Sequence, residues 1–236
     1  MKLRTLGLLS ASFVVAQLMT MNAMAIINGA YVDETVGSTS LPSSAYKASG
    51  GKTNEHQQIA AAIGHSIANQ YNLHDAAKQH MGTDRGGPYL DSEKAEMQKI
   101  ASTVRTLHQG QAKVMGKIKD HIASKTSDAD PSGNIHQGIA ASAAEPNDMV
   151  HPESSYDVGK TREKGHAVIN AAMSKTRINN LEILLAAKSH HAHDSNTNDS
   201  VDTSAHNGIL EGINSMHKVQ GDLKQDMIAH FTSRSL

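Results

Sequence analysis

The stretch "MQKIASTVRTLHQGQAKVMGKIKDH", Met97 to His121, decides the fold. Met97, Ile100, Val104, Leu107, Gln111, Val114, Ile118 and His121 are spaced 3, 4, 3, 4, 3, 4, 3 within it. Only a helix brings such positions onto one face, because a strand repeats every second residue. Six of the eight are apolar, which makes the stripe a heptad seam that a partner helix must cover. The helix is predicted from about Asp91 to Ser124. Asp91 or Ser92 can cap it, and Glu93 and Glu96 suit the positive end of its dipole.

Moving outward, Ile209, Ile213, Met216, Gln220, Leu223 and Met227 form a second such seam, spaced 4, 3, 4, 3, 4. It predicts a helix from Thr203 or Ser204 to about Phe231. Ile178, Leu181, Leu185 and Lys188 suggest the face of a third helix, over roughly Tyr156 to Ala187. Ile59, Ile63, Ile67 and Tyr71 suggest a fourth, from about Asn54 to Met81, which "GTDRGGPY" at 82–89 breaks with glycines and a proline. No alternating segment of useful length appears, so a sheet is not expected. The fold class is all-α: an elongated bundle of three to four long helices with a small, loosely structured appendage.

The chain starts "MKLRTLGLLSASFVVAQLMTMNAMA". Lys2 and Arg4, an apolar stretch too short for a span, and Ala23-Met24-Ala25 read as a secretory signal peptide over residues 1–25. Residues 26–52 read as a flexible mature N-terminus, with room for one short strand at "AIINGAYV". Residues 53–125 hold the first two long helices. Residues 126–154 form a Pro-rich linker or appendage with a short helix near Ile135 to Ala144. Residues 155–236 are expected to be a C-terminal hairpin of two antiparallel helices.

Composition excludes several classes. The chain has no Cys, so an exported form has neither disulfides nor thiolate zinc sites. Its 22 basic and 23 acidic residues leave no basic surplus for nucleic acid. Aromatics are scarce, which suits long helices on thin seams better than a thick enzyme core. "GHSIA", 64–68, imitates a nucleophile elbow but falls inside a helix, and Ala68 replaces its second glycine. "TDRGGP", 83–88, lacks the frame of a phosphate loop. No catalytic set assembles, and an enzyme is not expected.

Histidine is the unusual residue, with fifteen in the chain. "SHHAHD", Ser189 to Asp194, lies at the foot of the predicted hairpin. It reads first as part of a polar turn rich in Asn and Ser. If the helix instead continues through Asp194, then His190, His193 and Asp194 share one face and could hold Zn²⁺ or Ni²⁺, with His206 approaching across the turn. His191 points elsewhere. His121 falls on a seam, where core packing is its first reading. Gln111 and Gln220 interrupt two seams. Either they sit at partly wet positions, or they bond across the interface and fix its register.

"TRINNLEILLAAK" and "DTSAHNGILEGINSMHKVQGDLKQDMI" resemble the last two helices of the minor pilus subunits of type IV secretion systems, the fifth VirB protein and its TraC-like relatives. The resemblance covers about Lys160 to Phe231. It implies an exported, non-enzymatic component that acts in pilus assembly or in adhesion to a host or recipient cell. Its partners would be other pilus or secretion-channel proteins and a cell-surface receptor, with no nucleic acid and no membrane span after signal cleavage. Oligomers through the heptad seams would suit such a role. The alternatives are a periplasmic His-rich metal-binding protein using His190, His191, His193 and Asp194, and a periplasmic helical chaperone or stress protein.

Overall fold

The computed structural model describes residues 46–84, 87–125, 133–194 and 201–233. The signal peptide, the strand at "AIINGAYV", residues 126–132 of the linker and the 195–200 turn lie outside the described residues. Five α-helices follow: α1 Lys52–Thr83, α2 Asp91–Ser124, α3 Gly133–Ser142, α4 Arg162–Asp194 and α5 Thr203–Ser233. Short 3-10 turns at Pro146–Met149 and Glu153–Tyr156 join α3 to α4. There is no strand among the described residues, only an isolated bridge between Pro88 and Thr161. No helix among them is long and apolar enough to cross a membrane.

The four long helices form a bundle. α1 packs against α4 and α5, and α2 packs against the same two. α4 and α5, expected as a hairpin, therefore face each other diagonally, as do α1 and α2. α1 and α5 run one way along the bundle, α2 and α4 the other. The seams of α2 and α5 close inside this arrangement, and every apolar position predicted on them is buried. Both seams are buried within the single chain.

Two predicted faces need correction. On α4, Leu185 is 65% exposed and Ile178 50%, whereas Ile183 is fully buried. The apolar spacing read there marks the outer side. The inner side is carried by Val168, Ile169, Ala172, Met173, Thr176, Asn179, Asn180, Ile183 and His190, a seam largely hidden in polar and small residues. On α1, Ile59 and Ile63 are buried but Ile67 and Tyr71 are only half-buried. At about 100° per residue, a run of i+4 steps drifts about 40° at each step and leaves the face. Ile183→Asp is expected to cost several kcal/mol in a chemical melt, and Leu185→Asp almost nothing. Equal losses for the two would refute this orientation of α4.

Other boundaries moved for local reasons. The N-cap position of α2 falls on Leu90, not Asp91 or Ser92, and the Glu93 carboxylate in the first turn accepts from its amide. α4 begins six residues later than expected, because 146–161 is not a loose appendage but a strap on the bundle. Met149, Tyr156 and Val158 on it are buried. α3 overlaps the short helix predicted over Ile135 to Ala144, shifted two residues toward the N-terminus. Tyr46 to Ser49, inside the segment expected to be flexible, lies against α5. Asn214 bonds both the N–H and the C=O of Tyr46, and Asn207 Oδ1 accepts from the Ala48 amide.

The mid-section of the bundle is polar. Gln111 Nε2 donates to Thr176 O and Asn180 Oδ1, and Asn179 Nδ2 donates to Gln111 Oε1. Gln220 Nε2 donates to Ser66, and Asn69 Nδ2 donates to Gln220 Oε1. Gln111 and Gln220 are completely buried, so the wet-position reading is wrong. They do not pair with each other. Each bonds a neighbouring helix, and a shifted register would orphan those groups at a cost of about 1–3 kcal/mol each.

Candidate metal centres

α4 runs through "SHHAHD" to Asp194, which carries His190 inward at one end of the bundle, where it is 3% exposed. There it meets His56 from the start of α1, His121 from the end of α2 and His206 from the start of α5. One ligand atom of each lies within 4.8 Å of those of the other three, and all four residues are buried. Each long helix gives one imidazole. His121 Nε2 and His206 Nε2 are 3.2 Å apart. A tetrahedral ion with Zn–N bonds of about 2.0–2.1 Å places its nitrogens about 3.3 Å apart.

The outer nitrogens are oriented as metal-bound imidazoles usually are. His56 Nδ1 donates to Lys52 O at 2.8 Å, and His206 Nδ1 donates to Glu55 Oε2 at 2.7 Å. In the neutral ring each of these bonds leaves Nε2 as the lone-pair nitrogen. His121 Nδ1 lies 3.8 Å from Asp202 Oδ2. His56 Nε2 and both nitrogens of His190 have no hydrogen-bond partner. Burial, with further lowering by the neighbouring imidazoles, takes His56 and His121 down to about 4 and His190 lower as well. The rings of His56, His121 and His190 are therefore neutral at pH 7, the form a metal needs.

The other end repeats the arrangement. His80 at the end of α1, Asp84 just beyond it, His166 at the start of α4 and His230 near the end of α5 also bring one ligand atom each within 4.8 Å of the rest. His80 Nε2 and His230 Nε2 are 3.1 Å apart. Asp84 Oδ2 lies 3.6 Å from His80 Nε2 and 3.9 Å from His166 Nε2. His230 Nδ1 donates to Glu96 Oε2 at 2.9 Å, so α2 supports this site through a carboxylate. Gly165, beside His166, lets Tyr89 cross α4: a Cβ there would fall 1.5 Å from the tyrosine oxygen.

Of His190, His193 and Asp194, predicted to share one face, only His190 belongs to a four-ligand set. Asp194 approaches that set from outside, 3.6 Å from His56 Nε2 and bridged to Lys52 at 3.3 Å. His193 turns toward α3. His206 arrives as anticipated. His56, His121, His80, Asp84, His166 and His230 were missed because their partners come from other helices, which local spacing does not show. One signal was available: 56 and 80, 166 and 190, and 206 and 230 are histidine pairs of equal spacing on three helices.

Comparison with family models, with curated proteins and with solved structures found no match.

Other buried histidines, among them His74, His108 and His217, sit in the bundle outside both clusters. His108 is held by Tyr156 and Ala172 O, and His217 by Ala62 O. Burial takes each down to about 4. An unfolded histidine titrates near 6.5, so between about 4 and 6.5 the unfolded chain binds more protons. Stability is present above that window and is lost as pH falls through it. Together His108 and His217 are expected to remove about 4 kcal/mol by pH 5. That should lower the melting temperature in chelator by roughly 10 °C from pH 7.5. An unchanged melt would contradict the burial of these rings.

Proposed function

We propose that this protein binds two divalent transition-metal ions, one at each end of its four-helix bundle, and acts by holding metal. The observation that carries the reading is the convergence of four imidazoles, one from each long helix, on one buried point. Unpaired ring nitrogens packed together cost stability unless a cation accepts their lone pairs. Donor chemistry favours Zn²⁺. The sets are all-imidazole at one end and imidazole with one carboxylate at the other, with none of the thiolate or thioether donors that select Cu(I). Four protein donors fill a tetrahedral shell and leave no open position, the arrangement of a structural or storage site rather than a hydrolytic one. The N-terminal signal sequence supports a place of action outside the cytoplasm, as a periplasmic or secreted metal-binding protein.

Isothermal titration of metal-stripped protein with Zn²⁺ is expected to give two tight sites per chain. His121→Ala with His206→Ala should remove one, and His80→Ala with His230→Ala the other. Binding no tighter than tens of micromolar, or unchanged stoichiometry in both variants, would overturn the proposal.

The type IV pilus role rests on the resemblance of residues 160–231 and is a separate proposal. Its test is loss of conjugation or cell attachment on gene deletion, a readout that metal tolerance does not share.

A further inference from the structure

The all-imidazole cluster has further histidines around it: His191 stacks on His56 at 4.8 Å, and a second pair lies on the α3 side. α3 packs against α2 and α4 beside it and contributes a single histidine, His136, which is fully buried. The His136 ring lies 5.4 Å from that of His190 and 4.7 Å from that of His193, between centroids. His193 is half-buried at the last turn of α4, and its Nε2 has no hydrogen-bond partner. His193, His136 and His190 thus form an unbroken file of imidazoles from the surface to the cluster. His190 is suited to its inner end, because neither of its nitrogens is tied to protein. The opposite cluster is different: its histidines meet Phe231, which stacks on His80 at 4.3 Å.

We propose that His136 and His193 form an open, two-imidazole position for a divalent transition metal, through which Zn²⁺ loads into and leaves the cluster of His56, His121, His190 and His206. A closed four-ligand shell releases metal slowly, because several bonds must break before any incoming ligand gains access. A neighbouring pair of imidazoles changes that. His190 can swing one bond toward an ion that His136 already holds, so ligands are exchanged one at a time with no bare intermediate. Two imidazoles bind too weakly to retain the ion, which is what a transfer position requires. No proton or electron is consumed: each step exchanges one neutral nitrogen donor for another.

This inference rests on the metal-binding reading, and its test separates the two. Zinc-loaded wild-type protein is mixed with excess chromophoric chelator and release is followed in time, beside equilibrium titration. His136→Phe with His193→Gln is expected to slow one of the two release phases at least 10-fold. The other phase serves as an internal control, and both affinities should stay within about threefold. Should the double variant fail to fold, His193→Gln alone, at a half-buried position on the last turn, is expected to slow the same phase. Unchanged release rates would overturn the transfer position. A large loss of affinity with unchanged release would overturn it too, by making the pair part of the equilibrium site. Absence of tight zinc binding in the wild type would instead overturn the metal reading itself.

Discussion

Zinc is expected to raise the melting temperature of the metal-stripped protein by roughly 15–30 °C. A ligand that binds only the folded state stabilises it by RT ln(1 + [L]/Kd), about 4 kcal/mol at a thousandfold excess over Kd. Nanomolar sites with micromolar free zinc meet that condition. Two sites then add about 8 kcal/mol, comparable with the whole stability of an ordinary domain. The ligands of each site come from three or four helices that touch nowhere in the unfolded chain, so little of this is offset by binding to the unfolded state. Removing either cluster, by His56→Ala with His190→Ala or by His80→Ala with His166→Ala, should remove about half of the rise. A melt insensitive to zinc in differential scanning calorimetry would sink the metal reading at both ends together. A rise that survives in one pair of variants would locate the failure at that end.

The same substitutions report on how the ends are built. His230 is oriented by Glu96 and His206 by Glu55. These carboxylates fix the ring and strengthen it as a donor, and losing such a partner typically weakens metal affinity 10- to 100-fold. Glu55→Gln should therefore weaken the all-imidazole site alone, and Glu96→Gln the other alone.

Much of the architecture was legible in the sequence, and the reasons are uneven. α2 and α5 carry their burial in Ile, Leu, Val and Met at regular 3–4 spacing, so period and face could be read together. α4 defeats the same reading. Its inner face uses Asn179, Asn180, Thr176 and Ala172, whereas Ile178, Leu181 and Leu185 face water. An apolar pattern finds the buried side only when that side is apolar, and here cross-helix hydrogen bonds replace hydrophobic contact. The diagonal placement of α4 and α5 was illegible for a related reason. A short connection suggests neighbouring antiparallel helices, but nothing in residues 195–202 states which pair of faces closes.

The metal clusters hid behind the treatment of each histidine singly. His121 on a seam reads as core, and His56, His166 and His230 read as scattered. Their meaning lies in pairs 24 residues apart on α1, α4 and α5. That separation is about 36 Å of helix, nearly the length of the bundle. It spans about seven turns of a 3.5-residue seam, so both members of a pair stay near the inner face. A pairing repeated on three helices places histidines at both ends of any bundle they form. It does not show that the ends meet, because that depends on how α1 and α5 run against α2 and α4.

Leu107→Asp is expected to abolish cooperative folding without metal and to leave it largely intact with zinc. Leu107 is completely buried on the α2 seam, so a carboxylate there has no water. An unpaired buried charge costs several kcal/mol, a large share of the 5–15 kcal/mol that holds a typical domain. Zinc binding adds about 8 kcal/mol by the argument above. Leu107 lies 14 residues from His121 and 11 from Glu96, about 21 and 16 Å along the helix, far enough for the two terms to add. The variant should therefore show a weak, non-cooperative melt in chelator and a sharp transition with zinc, at a temperature below that of the zinc-loaded parent. Leu223→Asp, equally buried on α5, should behave the same way. A variant that stays unfolded in saturating zinc would mean that the mid-section must form before the ends can bind. A variant that melts like the parent in chelator would show that the seam of α2 does not face the interior, and the bundle would have to be rebuilt around a different stripe.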